Sequence, residues 1–443
     1  MSGRRRRHGA PPTGNGTAAE TPVTGTDTAT ETPTTGKETA VDGGALTNVL
    51  MISLVAVLAP LVADQLGRWL LFPTAVLEIG LGILVGPAVL RLVHVDGTVH
   101  GLATFALAML FFLAGYELDL GRLRGPPVSR ALLSWLLSLL GGVAVGALLA
   151  ALVGGGAGTA AALGLLLATT ALGMLLPVLR DAGQLDTSLG TNVLAVGAVG
   201  EFVPIVAVTL LFSGRRPVHA TLLLLCFTVI AAGAVALASR RPPAPVPRLL
   251  TATLGTSAQF AVRLTLLVLV GMVWLALDLH LDIVLGAFAA GVVIRQVLTN
   301  ISDHEAGVVE SKLEGIGFGF LIPFFFVTTG MRIDVSTLLS SGTAIVLMAL
   351  TVLALLVVRS VPVALLFRGR LPPRELRALG LYASTTLPMV VVVSRGALDH
   401  GWLDEASAAA LVAAAMVSVL VYPLVALRVA RSPDGDSGGD RSR

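Results

Sequence analysis

Cysteine is nearly absent from this chain: Cys226 is the only one, so no intrachain disulfide, paired-thiol redox centre or thiolate metal cluster can form. It falls in an apolar run and is expected to be a small buried apolar residue. Charge is scarce too, at 13% of 443 residues, and that excludes the surface of a soluble globular domain. No phosphate loop, dinucleotide fingerprint, HExxH pair or catalytic triad is present. No cofactor and no enzymatic activity are therefore expected. The formal charge of +3 does not mark a nucleic-acid binder, because the basic residues fall at the ends of apolar runs and in joints, where they set membrane topology.

What is abundant is apolar sequence, 55% of residues, in runs long enough to cross about 30 Å of hydrocarbon. The reading is an all-α polytopic membrane protein with about thirteen transmembrane helices between residues 46 and 429. Residues 1–44, rich in Thr, Gly and Pro and carrying Arg4 to Arg7, form a disordered tail, and 431–443 a short second tail. An odd number of spans puts the termini on opposite sides. Placing the N-terminus outside leaves most loop arginines, among them Arg68, Arg122, Arg124 and Arg130, in the cytoplasm. The expected site is the cytoplasmic membrane, N-terminus out and C-terminus in.

Two pairs of segments repeat at nearly one offset. Gly164–Thr170 of the fifth span (159–179) matches Gly380–Thr386 of the twelfth (375–398), and Gly115–Leu120 of the third (101–120) matches Gly330–Val335 of the tenth (313–332). Each match joins spans seven apart, so the copies run in opposite directions, an inverted-topology repeat of the kind secondary transporters use. The fifth span carries Thr169 and Thr170 followed by Gly173 and Pro177; the twelfth carries Ser384, Thr385 and Thr386 followed by Pro388. A proline inside a helix frees backbone groups, and at membrane depth such a break is tolerated where it is buried in protein or lines a cavity. Both spans are expected to be interrupted and to cross.

Glu201 lies near the middle of the sixth span, 188–212, where an ionised carboxylate is costly and marks an ion or proton pathway by default. Arg359, inside the eleventh span (340–367), is the one basic residue placed well within a helix. Buried opposite charges are less costly together than apart, so Glu201 and Arg359 are expected to meet when no ion is bound, as a functional or a static structural pair. Glu78 in the second span (73–92) competes with Glu201 but precedes Gly82 and Gly86, which suits a helix contact. Glu117, Asp119, Arg332 and Asp334 stand at span ends and are read as interface markers. The histidines are read as loop or tail residues, with His304 in a solvated acidic loop.

Several stretches in order, FPTAVLEIGLGILVGPAVL, FALAMLFFLAGYELDL, ATTALGMLLPVLRDAG leading into GEFVPI, GAFAAGV and IPFFFVTTGMRID, give the chain from about 46 to 430 a resemblance to the monovalent cation:proton antiporter-2 family, with its sodium/proton exchanger fold. The resemblance implies a homodimer in which an ion-translocating core (about 130–212 and 340–429) moves against a dimerisation part (about 46–120 and 258–335). It places Glu201 where the family carries its ion-binding aspartate and Arg359 where many members carry a lysine. The residue before the acid, often acidic or amide-bearing in relatives, is Gly200. One core carboxylate then implies exchange of one proton for one Na⁺ or K⁺, an electroneutral step. Glu201 transiently holds the metal ion, and Thr169, Thr170, Ser384, Thr385 and Thr386 help replace its water shell. A sodium-coupled organic anion symporter of similar fold, and a potassium efflux unit or membrane sensor, are the competing readings; no fused regulatory domain is expected.

Overall fold

The computed structural model describes residues 43–67, 74–117, 126–185, 187–212, 217–238, 259–299, 302–333 and 335–430. Both expected tails lie almost wholly outside these residues, as do Asp119 and Asp334. The described chain is helical: α1 (Gly43–Gly67), α2 (Thr74–Val85), α3 (Gly97–Glu117), α4 (Pro126–Leu152), α5 (Ala157–Leu167), α6 (Leu172–Asp181), α7 (Ser188–Leu211), α8 (Pro217–Ala238), α9 (Phe260–Asp278), α10 (Ile283–Leu298), α11 (Asp303–Ile316), a π-helical turn (Gly317–Leu321), α12 (Ile322–Met331), α13 (Val335–Ser340), α14 (Gly342–Phe367), α15 (Pro373–Ala383), α16 (Pro388–Asp399) and α17 (Glu405–Ala430).

Eleven stretches among the described residues are long and apolar enough to cross a membrane, and two shorter apolar helices, α2 and α10, occupy the second and ninth expected places. The sequence run 73–92 shrinks to α2 because Gly86-Pro87 stops the helix. The amides of Leu90, Leu92 and Val93 then turn back onto the carbonyls of Leu84 and Val85. The run 282–299 is shortened at its start, where Asp282 caps α10 by accepting from the Val284 amide at 2.8 Å. Burial pushes the Asp282 carboxyl up, against that hydrogen bond.

Large apolar side chains cover the outer faces of the long helices, including Leu50 and Leu54 of α1, Leu140 and Leu148 of α4, and Leu353 and Leu365 of α14. Such faces suit contact with lipid. Cys226 belongs to this outer layer: it is exposed on α8, contrary to the expected burial, because α8 packs few of its side chains inward. His100, His219 and His304 also depart from expectation, since they lie in α3, α8 and α11. The stretch around His304 is a helix because Ser302 and Glu305 form a capping box.

Inside, backbones approach at glycine. A Cβ on Gly82 would fall 2.2 Å from the carbonyl oxygen of Val327, and one on Gly115 would fall 2.1 Å from that of Phe288. Membrane helices, lacking a hydrophobic drive to associate, gain their contact energy from such close packing. The first contact joins α2 to α12 and the second joins α3 to α10; Glu78 is buried on α2, four residues before Gly82. Asp96 tethers the start of α3 to α1, accepting from the Val99 amide at 2.8 Å and from Asn48 at 2.9 Å. Those two hydrogen bonds hold its carboxyl below the usual range.

Candidate functional site

Both expected interruptions are present. One falls at 168–171, between α5 and α6; the other falls at 384–387, between α15 and α16. They stand 216 residues apart, the offset of the sequence match. In the first, the Thr169 hydroxyl donates to the Leu166 carbonyl at 2.7 Å, the Thr170 amide donates to Gly200 O at 2.9 Å, and the Ala171 amide donates to Thr385 O at 2.8 Å. Amides that would continue a helix are thus spent on α7 and on the second break. In the second, Pro388 has no amide to give and opens α16 at its first turn, a position where that loss is harmless. Position 177 lies inside α6 rather than at a break, so Pro177 is not a helix-break residue; the hydroxyl-bearing segment before Leu172 interrupts the span instead.

The two breaks touch. Thr169 Oγ1 and Thr386 Oγ1 are 2.7 Å apart, and Thr170 Oγ1 donates to the Ala383 carbonyl at 2.6 Å. Thr169, Thr170, Ser384, Thr385 and Thr386 are all buried. Their hydroxyls are engaged in holding the breaks: Ser384 donates to Gly380 O at 2.8 Å and Thr385 to Leu381 O at 3.2 Å.

Glu201 is 8% exposed on α7, and its Oε2 accepts from the amide of Leu172, the first residue of α6, at 3.0 Å. The Gly173 amide also reaches it. The positive end of a half-helix and its unpaired amides are where an anion is best accommodated in a low-dielectric interior. Arg359 is 0% exposed on α14 and goes elsewhere. Its Nη2 donates to Thr170 Oγ1 at 2.7 Å and its Nε to the Ala383 carbonyl at 3.1 Å, at the negative end of α15. The expected Glu201–Arg359 ion pair is therefore not made. Each buried charge is compensated by the end of a broken helix, which offers oriented dipoles without requiring the two side chains to converge.

Gly200 is explained by the same geometry. A Cβ there would fall 2.6 Å from Arg359 Nη2 and 2.7 Å from Thr170 Oγ1, so the guanidinium fills the space that a side chain before the acid would take. Two polar groups near the breaks are not assigned to the site by the sequence. Ser418 of α17 accepts from the Thr386 amide at 3.2 Å and donates to its carbonyl at 2.9 Å; a lone hydroxyl in the apolar run MVSVLV is the signal that marks it. Glu117, read as an interface marker, is half-buried against α6: its Oε2 lies 3.6 Å from where a Cβ on Gly173 would be.

Residues 53–430 match the family described as sodium/hydrogen exchanger, transmembrane. The chain belongs to the sodium/hydrogen exchanger family. Among curated relatives of this exchanger, the Na(+)/H(+)-K(+) antiporter GerN of Bacillus cereus is 30% identical over 70% of the chain and 76% of its own length. The putative Na(+)/H(+) antiporter YjbQ of Bacillus subtilis is 25% identical over 86% of the chain, which spans 62% of that relative's length. Among solved structures, the sodium proton antiporter MjNhaP1 of Methanocaldococcus jannaschii shares the fold at a TM-score of 0.62 and 15% identity, covering 87% of this chain and 96% of that one. It is thus a multi-pass membrane protein with the exchanger fold, in agreement with the resemblance carried by the sequence motifs.

Proposed function

We propose that this exchanger carries a monovalent cation, Na⁺ or K⁺, across the cytoplasmic membrane in exchange for H⁺, with Glu201 as the site the two ions share. The observation that carries this reading is a carboxylate buried beside two touching helix breaks and hydrogen-bonded to the first amide of α6. A carboxylate at that depth is costly to move while charged and bare. Neutralised by a proton or by a cation it moves readily, and the two occupants exclude one another on one group. Coupling follows: return without either ion is slow, so each cycle exchanges one for the other.

With Arg359 committed to Thr170 and Ala383, its charge is constant through the cycle, and one carboxylate exchanging one proton for one cation moves no net charge. Exchange is accordingly electroneutral. The hydroxyls of Thr169, Thr170, Ser384, Thr385 and Thr386 form the polar wall beside the acid, and their first task is to keep the breaks open. The working unit is a homodimer with its N-terminus outside and C-terminus inside, embedded in membrane lipid, using no cofactor and converting no substrate chemically. Changing Glu201 to Gln abolishes pH-gradient-driven Na⁺ and K⁺ flux in proteoliposomes; flux retained at the native rate overturns the assignment. Potential-sensitive dye in the same vesicles tests electroneutrality, which a sustained cation-dependent current contradicts.

A further inference from the structure

The last turn of α3 is clamped. Tyr116 sits under the Arg295 guanidinium, 5.3 Å from ring centre to Cζ, and its hydroxyl is 3.5 Å from Glu310 Oε2, while Arg295 and Glu310 pair at 3.8 Å. One residue further along a helix points about 100° away. Glu117 is thereby turned from the α10–α11 side toward α6, where its carboxylate stands 3.6 Å from the Cβ position of Gly173. The amide of that same glycine reaches Glu201. Residue 173 thus lies beside both carboxylates, Glu201 at its amide and Glu117 at its Cβ position.

The repeat gives this position a counterpart. Glu117 matches Arg332, as the third span matches the tenth, and α6 matches α16. Arg332 lines a cavity of about 660 Å³ together with Ser394 and Arg395 of α16. There its guanidinium bonds His100 Nδ1 at 2.9 Å, and burial, then Arg395, push its proton affinity down, with Asp399 opposing. Equivalent places facing the two second half-helices therefore carry an acid on one route and a base on the other.

We propose that Glu117 is a second cation-handling residue, which takes up the monovalent cation arriving from its end of α3 and passes it across the start of α6 to Glu201. This deepens the Glu201 reading and rests on it. A carboxylate at the approach raises the local cation concentration on that face, while Arg332 lowers it on the other, so the two faces differ in apparent cation affinity.

The test uses full-length protein in proteoliposomes, with Na⁺ and K⁺ as probes and flux driven by a pH gradient from each side. Orientation is fixed by impermeant maleimide on Ser311→Cys in a Cys226→Ala background, since Ser311 is exposed on α11 at the Glu310 end. Glu117→Gln is expected to raise the cation KM about fivefold or more at the face carrying Ser311, and less than about twofold at the other, while kcat is kept. Glu117→Asp shifts the same KM about twofold and serves where the glutamine variant does not reach the membrane. Arg332→Gln lowers the KM at the opposite face. An unshifted KM at both faces, or an equal rise at both, overturns the proposal. A silent Glu201→Gln with an unshifted Glu117→Gln sinks this inference alone, whereas an active Glu201→Gln sinks the shared-site reading itself.

Discussion

The break at 168–171 and the break at 384–387 share sequence and offset, yet the acid is held at the first alone while the base reaches both, and the reason lies in which backbone groups each leaves available. At the first, the Leu172 amide opens α6 and is given to Glu201, with the Gly173 amide close beside it. At the second, Pro388, which matches Leu172, supplies no amide, and the Thr386 amide just before α16 is taken by Ser418. The carbonyl ends differ in the same manner. Leu166 O accepts the Thr169 hydroxyl, whereas Ala383 O accepts both Thr170 and Arg359. An inverted repeat builds two similar backbones, and a handful of donors and acceptors then decides that the amide end of α6 takes the acid while the carbonyl end of α15, together with Thr170 of the first break, takes the base.

The comparison assigns exchange to the acid and architecture to the base, and the sharpest way to break it is Arg359→Met. Losing charge-assisted hydrogen bonds to Thr170 and Ala383 in a fully buried setting costs about 3 kcal/mol, read as a lowered thermal midpoint in detergent. Glu201→Gln, by contrast, removes exchange while shifting the midpoint by less than the equivalent of about 1 kcal/mol, since a neutral amide side chain still accepts from Leu172. Equal destabilisation by both variants would dissolve the distinction.

Gly200→Ala comes next. Its methyl would meet both Arg359 Nη2 and Thr170 Oγ1 closer than 3 Å, and overpacking of that kind costs about 1–3 kcal/mol. Combined with Arg359→Met the cost should fall short of the sum by about 1 kcal/mol, because the clash loses one of its partners. Strict additivity would mean that the glycine is set by something other than the guanidinium. Ser418→Ala follows, at about 1–2 kcal/mol, since it leaves the Thr386 amide and carbonyl without their shared partner inside the second break. Full stability in that variant would show that other groups satisfy the break.

How much of this was legible in the sequence follows from the range of each interaction. The spans, the repeat and both interruptions are local or periodic properties, so the Thr169-Thr170 and Ser384-Thr385-Thr386 segments announced them. Glu201 was legible because a lone acid in an apolar run is costly wherever it lands. The partner of Arg359 was not, because pairing by charge ignores helix ends, and those become charge partners only once the breaks are placed in space. Pro177 misled for the converse reason: the break is made by hydroxyls and amides upstream, and position 177 falls inside α6. Glu117 was passed over since a charge at a span's end ordinarily marks the interface. Only the packing of α3 beside α6 brings it to Gly173.

The smallest effect separates holding the breaks from binding the ion. Thr169 and Thr386 bond each other at 2.7 Å with both side chains buried, and Thr169 also donates to Leu166 O, so it is Thr169→Val that strands the Thr386 hydroxyl and costs about 1 kcal/mol. Replacing both by valine removes donor and acceptor together at nearly unchanged volume. The double variant should therefore be more stable than Thr169→Val alone, because no Thr386 hydroxyl is left without its mate, and should fall short of the parent protein only by the lost bond to Leu166 O. Cation KM in the double variant then reports whether these oxygens also bind the ion. If stability is restored and KM is unchanged, the pair fastens the two breaks, and the cation is held by Glu201 and the backbone around it; a KM raised tenfold in a stable double variant would return Thr169 and Thr386 to the ion's coordination shell.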